Sequence, residues 1–176
     1  KPGARRIAMI HVLIKACAET LKRIPLVNTV MAGDDIMYFD EINIGMAVAL
    51  EDGLIVPVLR NVEKKDILRI ANDAQELAAK AKEGKLAADE AVGGTFTISV
   101  LGTVDGFTPI LNLGQNALLG AGRTVEKPVV RNGEIVIRET MTVSLTADHQ
   151  VIDGAVAASF LRRFQQIIER PSQLFK

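Results

Sequence analysis

Along this chain of 176 residues the spacing of hydrophobic positions changes several times, and the changes mark off helical and strand-like stretches. Over residues 7–24, Ile10, Leu13, Ile14, Cys17, Ala18 and Leu21 recur at helical spacing until Pro25 closes the pattern, which predicts a helix. Strand-like runs follow at 27–31, 36–39 and 42–50, the first two joined by a Gly33-Asp34-Asp35 turn. The third leads through Asp52-Gly53, a tight-hairpin signal, into residues 54–59, where Pro57 requires a strand edge or a bulge. Residues 66–82 form the clearest amphipathic helix, with Ile67, Ile70, Ala71, Ala74, Leu77, Ala78 and Ala81 on one side. The charges on its other side read as a solvated face.

A polar connector at 85–92 precedes Gly93-Gly94, which opens Thr95-Phe96-Thr97-Ile98-Ser99-Val100, a short strand with alternating hydroxyls. Such alternation ordinarily means no more than a half-buried strand. A glycine-rich passage at 101–106 leads to Phe107-Thr108-Pro109-Ile110 and an apolar run at 116–123. Its glycines match neither the Walker pattern nor the dinucleotide fingerprint. Asn132-Gly133 signals a hairpin, and 135–145, rich in β-branched residues, reads as one strand. Ala155, Ala158, Phe160, Leu161, Phe164, Ile167 and Ile168 then predict a last helix over 154–170, stopped by Pro171.

Asp148-His149-Gln150-Val151-Ile152-Asp153-Gly154 joins that strand to that helix, so His149 sits at a corner from which a side chain can face a cleft. Asp153 occupies an N-cap position, where its carboxylate can simply accept the first free helix N–H groups. A lone histidine is likewise more often structural than catalytic. Together they favour chemistry, because an imidazole acting as a base near neutral pH needs a fixed orientation and tautomer.

Composition narrows the class. A hydrophobic content of 48% suits one compact domain, and 21 basic residues balance 21 acidic ones with no dense basic block, which argues against nucleic acid as the main partner. The single cysteine, Cys17, lies in an apolar helical run, cannot form an intrachain disulfide and fits a reducing compartment. No metal-ligand cluster is evident, and no run approaches the ~20 apolar residues of a membrane helix. The opening residues are not followed by a signal-cleavage pattern, so a soluble, intracellular protein without a membrane partner is expected. His11 has nothing near it in sequence that gives it chemistry.

Five motifs in order carry a resemblance: Gly53-Leu54-Ile55-Val56-Pro57-Val58, Gly93-Gly94-Thr95-Phe96-Thr97-Ile98-Ser99, Phe107-Thr108-Pro109-Ile110, Leu119-Gly120-Ala121-Gly122-Arg123, and Asp148-His149 to Asp153-Gly154. From about Ile10 onward the chain resembles the catalytic domain of dihydrolipoamide acyltransferases, the core of the 2-oxo acid dehydrogenase complexes. The His-x-x-x-Asp-Gly element is shared with the chloramphenicol acetyltransferase type. The resemblance implies an α/β fold, a two-layer sandwich with a mixed β-sheet packed against helices. It implies acyl transfer between dihydrolipoamide and coenzyme A, with His149 as general base, Ser99 stabilising the oxyanion and Asp153 holding the corner. Thr97, Gly154 and Arg123 are implied to bind substrate. The lipoyl group would be carried on a separate domain, coenzyme A would be a substrate, and no metal is needed. Implied partners are further copies, in a homotrimer assembling into a 24-mer or 60-mer, together with the 2-oxo acid decarboxylase/dehydrogenase and dihydrolipoamide dehydrogenase components. His149 of one chain would then face Ser99 of the next, and Leu174 and Phe175 would dock between trimers. The implied location is cytoplasmic, with the mitochondrial matrix as the alternative.

Departures accompany it. Gln150 stands where these acyltransferases usually have Arg, Val100 where Asn or Ser usually follows the serine, and Leu113-Gly114 where a proline-containing turn is usual. Gly3-Ala4-Arg5-Arg6-Ile7-Ala8-Met9 resembles the family's first helix, normally separated by a long segment from the one that follows. The expectation is one acyltransferase domain over 1–176, lacking a segment near residues 8–10 and with it part of the acyl-substrate wall. The alternative function is a catalytically silent core that trimerises and assembles the complex.

Overall fold

The computed structural model describes residues 7–175, the side chains of Gln173 and Phe175 excepted, so residues 3–6 of the stretch resembling a first helix lie outside the described residues. In chain order, helix α1 (Met9–Leu21) leads to strands β1 (Thr29–Ala32) and β2 (Asp35–Tyr38), which pair as a hairpin turning at Gly33, φ +67°. Then come β3 (Ile44–Met46), β4 (Val48–Leu50), β5 (Gly53–Ile55), β6 (Val58–Leu59) and helix α2 (Ile67–Lys82). The second half holds β7 (Phe96–Val100), β8 (Ala117–Ala121), β9 (Val125–Arg131), β10 (Glu134–Thr140), β11 (Val143–Ala147) and helix α3 (Gly154–Ile168).

Five of these strands form a mixed sheet in the order β11-β8-β7-β3-β6, parallel across β8, β7 and β3 and antiparallel at both edges. Because successive side chains alternate between faces, Ile44, Met46, Phe96, Ile98, Ala117, Leu119 and Ala121 point one way and share a core with Leu13, Ile14, Phe160 and Phe164 of the helices. The Phe96 and Phe160 rings lie 5.6 Å apart at that junction. The helices therefore cover one face in a two-layer α/β sandwich. The other face presents Gly45, Thr97, Ser99, Leu118, Gly120, Ser144 and Thr146, and it carries the candidate site.

Aspartates start two of the helices: Asp153 Oδ1 accepts the Val156 N–H at 2.8 Å, as its N-cap position predicted, and Asp66 Oδ1 accepts the Arg69 N–H at 2.7 Å in the same way. Two long strand-like runs are broken. Residues 42–50 split at Ala47, whose N–H donates to Ile98 O at 3.0 Å while the Met46 N–H turns to Pro57 O. Residues 135–145 split at Met141 and Thr142, because β10 belongs to a hairpin arm with β9 whereas β11 joins the main sheet. Strand β9, with Pro128 inside it, escapes the sequence pattern. A two-stranded ribbon tolerates that proline because its outer edge makes no ladder bonds.

The expected apolar tail also differs. Leu174 is 3% exposed and packs into the helical core of its own chain, while the Phe175 side chain, expected to dock beside it, lies outside the described residues.

Candidate active site

The His149 corner is fixed through the residues on either side. The Asp148 N–H donates to Asn116 O at 2.9 Å, extending the β11–β8 ladder by one step beyond Ala147. Asp148 then ends the strand: its carbonyl accepts the Val151 and Ile152 N–H groups, and its Oδ1 accepts the Gln150 N–H at 2.9 Å. An aspartate bonding the backbone two residues on is a local turn device. Ile152 is buried in the core, and Asp153 caps α3 immediately after it. His149 is thus carried exposed on a backbone pinned at 148, 152 and 153. Gln150 contributes its backbone N–H to this turn, a bond any residue can supply.

Ser99 lies on the open sheet face in a row of four hydroxyls, three of which are engaged. Thr97 Oγ1 donates to Gln115 Oε1 at 2.7 Å and accepts from Asn112 Nδ2 at 2.9 Å. Gln115 in turn donates to Gly94 O at 2.8 Å. Ser144 donates to Phe107 O, and Thr146 to Pro109 O at 2.6 Å, which straps residues 107–109 across the face. The Ser99 hydroxyl has no hydrogen-bond partner among the described residues. Its hydroxyl opens on a cavity of about 300 Å³ between that strap and the β4–β5 hairpin.

Glycines let the strap lie this close. A Cβ on Gly120 would come within 2.8 Å of Pro109 Cδ and 3.0 Å of Ser144 Oγ, and one on Gly45 within 2.7 Å of both Thr97 Oγ1 and Val56 Cγ1.

The structure does not bring His149 and Ser99 together in one chain. Ser99 pairs with Gly120 and Gly120 with Ser144, so all three share one row across the sheet, while Asp148 lies four residues beyond Ser144. At ~3.3 Å per residue along a strand and ~4.8 Å between strands, Asp148 and Ser99 are roughly 16 Å apart. His149 does not line the Ser99 cavity. Gly154 opens α3 one residue past Asp153, and a Cβ there would meet open space. Arg123 is exposed and its Nε donates to Asp105 Oδ1 at 2.7 Å, with Lys127 3.4 Å from the other oxygen. These cations hold the Asp105 carboxyl below its ordinary pKa, Arg123 contributing most. Among the described residues no three His, Cys, Asp or Glu side chains group as metal ligands, and no helix is long and apolar enough to cross a membrane.

Sequence reasoning missed the supporting residues Asn112, Gln115 and the buried Asn116, and it named Asp148 without giving it a role. Only Asp148 left a local signal, an aspartate at a strand end before a turn.

Comparison with known proteins follows the same outline. The family of 2-oxoacid dehydrogenases acyltransferase (catalytic domain) matches residues 1–176. The acetyltransferase component of the pyruvate dehydrogenase complex of Rickettsia typhi is 39% identical over 94% of this chain and 42% of its own length. The succinyltransferase component of the 2-oxoglutarate dehydrogenase complex of Pseudomonas aeruginosa is 42% identical over 99% of this chain and 43% of its own. The chain therefore spans about two fifths of the length of these curated relatives. A solved dihydrolipoamide acetyltransferase of Azotobacter vinelandii, whose catalytic mechanism was investigated at a serine, a histidine and an asparagine, superposes with TM-score 0.91. It is 38% identical, over 97% of this chain and 72% of that one. A chloramphenicol acetyltransferase, 20% identical with TM-score 0.60 over 90% of this chain and 77% of its own, shares the fold.

Proposed function

Because the chain belongs to the family of 2-oxoacid dehydrogenase acyltransferase catalytic domains, we propose that it transfers an acyl group between dihydrolipoamide and coenzyme A, with His149 as general base and Ser99 as oxyanion donor. The observation that carries this reading is the state of Ser99: of the four hydroxyls on the open face it alone has no partner among the described residues, and it opens on a cavity. A hydroxyl without an internal partner is free to donate to an oxygen that becomes negative during reaction.

The chemistry assigns the remaining parts. A thiol with a pKa of about 8.5 is mostly protonated at neutral pH, so its attack on a thioester needs a base. Neutral His149 takes the thiol proton, sulfur bonds to the carbonyl carbon, and the oxyanion that forms accepts from Ser99. Collapse expels the other thiolate, to which His149 returns the proton. Asp153 takes no proton; as cap of α3 it holds the corner. In the Azotobacter vinelandii protein the investigated asparagine follows the histidine by four residues, as Asp153 follows His149, which supports a holding role for this position. Gly154, where a Cβ would meet open space, and the exposed Arg123 are assigned to substrate binding in this reading, and Thr97 keeps the wall of the cavity in place.

The two main groups belong to different copies in this reading, since they stand roughly 16 Å apart by strand geometry within one chain. Association has surface to use: Val130, Ile135 and Ile137 on the hairpin arm are each more than 60% exposed, more apolar surface than a monomer has reason to show. We place the chain in a homotrimer within the core of a 2-oxo acid dehydrogenase complex, assembling as a 24-mer or 60-mer with the decarboxylase/dehydrogenase and dihydrolipoamide dehydrogenase components. The lipoyl group arrives on a separate domain, and the compartment is the cytoplasm or, alternatively, the mitochondrial matrix. In this reading the domain also lacks a segment near residues 8–10, where the stretch resembling the family's first helix runs directly into the next one.

Thiol release from acyl-coenzyme A and dihydrolipoamide tests the reading. His149→Ala should lower turnover by a factor on the order of 10² to 10⁴ with the circular dichroism unchanged. A folded His149→Ala protein with full turnover would refute the mechanism.

A further inference from the structure

We propose that the cavity beside Ser99 takes an uncharged short acyl chain and rejects one ending in a carboxylate; the inference rests on the acyl-transfer reading above. The walls carry it. Leu54, Val56, Phe107, Pro109, Ile110 and Leu118 supply most of the lining, and among the described residues of the chain no Lys, Arg or His belongs to it. Two of the polar groups that reach the cavity, Thr97 and Asn112, are bonded to each other, and Thr97 also to Gln115. That leaves two hydroxyls, Ser99 inside and Thr108 on the exposed strap.

A carboxylate brought against such walls loses hydration that two hydroxyls replace poorly, whereas a methyl or isopropyl group gains from the burial. Ser99 is also the group needed at the reacting carbonyl, so in this reading it cannot serve the far end of the chain. The cations Arg123 and Lys127 lie outside the lining, and both are engaged by Asp105. The walls have little freedom to change this, because Val56 packs on Gly45 and Pro109 on Gly120 at distances that leave no room for a Cβ.

Equilibrium binding of S-acetyl-, S-isobutyryl- and S-succinyl-dihydrolipoamide to the purified protein tests the inference. The acetyl and isobutyryl compounds should bind at least ~10-fold more tightly than the succinyl one, the lower end of what an unsatisfied buried polar group costs. Leu54 is 64% exposed at the rim, so Leu54→Lys adds a cation without disturbing the core and should narrow the gap several-fold. Equal or tighter succinyl binding, no binding of any of the three, or an unchanged gap in folded Leu54→Lys would each overturn the proposal. If the neutral thioesters bind as stated but no transfer to coenzyme A follows, the catalytic reading fails and the assignment of the cavity stands.

Discussion

At the residue scale three side chains separate chemistry from architecture. The Ser99 hydroxyl makes no internal hydrogen bond among the described residues, so Ser99→Ala should leave the fold intact while lowering turnover by about 10² to 10³, the usual effect of losing one oxyanion donor. Denaturation midpoints and thiol-release rates measured together check this, and a matching fall in both would point to a structural serine. Asp153 is the reverse case. Its carboxylate caps α3, so Asp153→Ala should cost about 1 kcal/mol of stability while Asp153→Asn, which caps equally well, costs little. Equal losses in the two variants would mean that the negative charge matters beyond capping. His11 is buried on α1, and its Nδ1 accepts the Ala8 N–H at 2.9 Å, which requires that nitrogen to be unprotonated. Burial lowers its pKa from the ordinary value. The unfolded chain then binds more protons, and stability rises with pH through that window. The contribution is complete above about pH 6.5 and is lost as pH falls below it through the folded value. His11→Gln keeps an acceptor at that place without titrating there, so it should flatten the decline in denaturation midpoint between pH 7 and pH 5. Identical declines would remove His11 as its source.

At the scale of elements, the site depends on a strap of chain lying flat on a strand. Gly120→Ala should lift Pro109 from β8 and lower stability by about 1 to 3 kcal/mol, the cost of overpacking a close contact. A denaturant midpoint equal to that of the parent would show that the strap yields freely. The elements themselves were largely readable in the sequence: three apolar periods gave the helices, Asp66 and Asp153 marked their starts, and Gly33, Gly53 and Asn132-Gly133 marked hairpins that the backbone makes. Where strands change partners was not readable. At Ala47 and at Met141-Thr142 the run stays strand-like while the hydrogen bonds pass to other strands, and none of these positions is itself a glycine or proline. The site was readable in part. The His149 corner announces itself through its neighbours, but Thr97 and Ser99 look alike in an alternating strand. Only the distant Asn112 and Gln115, which engage one hydroxyl and leave the other, tell them apart.

At the scale of the whole molecule, Leu174 ties the end of the chain to the helical layer, so Leu174→Ala should cost about 2 to 5 kcal/mol in the manner of a core truncation. A loss under 1 kcal/mol would mark the tail as loosely held. The larger question is where the site is completed, because strand register separates Ser99 from the His149 corner by roughly 16 Å within a chain. A threefold ring repeats one heterologous interface, so each His149 can meet Ser99 of a neighbour. Suppose that His149→Ala and Ser99→Ala chains, each nearly inactive as a pure assembly, are co-expressed. Some interfaces of the mixed rings would join an intact His149 to an intact Ser99, and those sites should turn over at close to the normal rate. A site built within one chain could never regain both residues, because every subunit carries one lesion. Activity should therefore return in co-expressed mixtures and stay absent when separately assembled proteins are combined. Mixed assemblies verified by mass spectrometry that remain as inactive as their parents, with both variants folded, would return the site to a single chain and leave Ser99 without its assigned part.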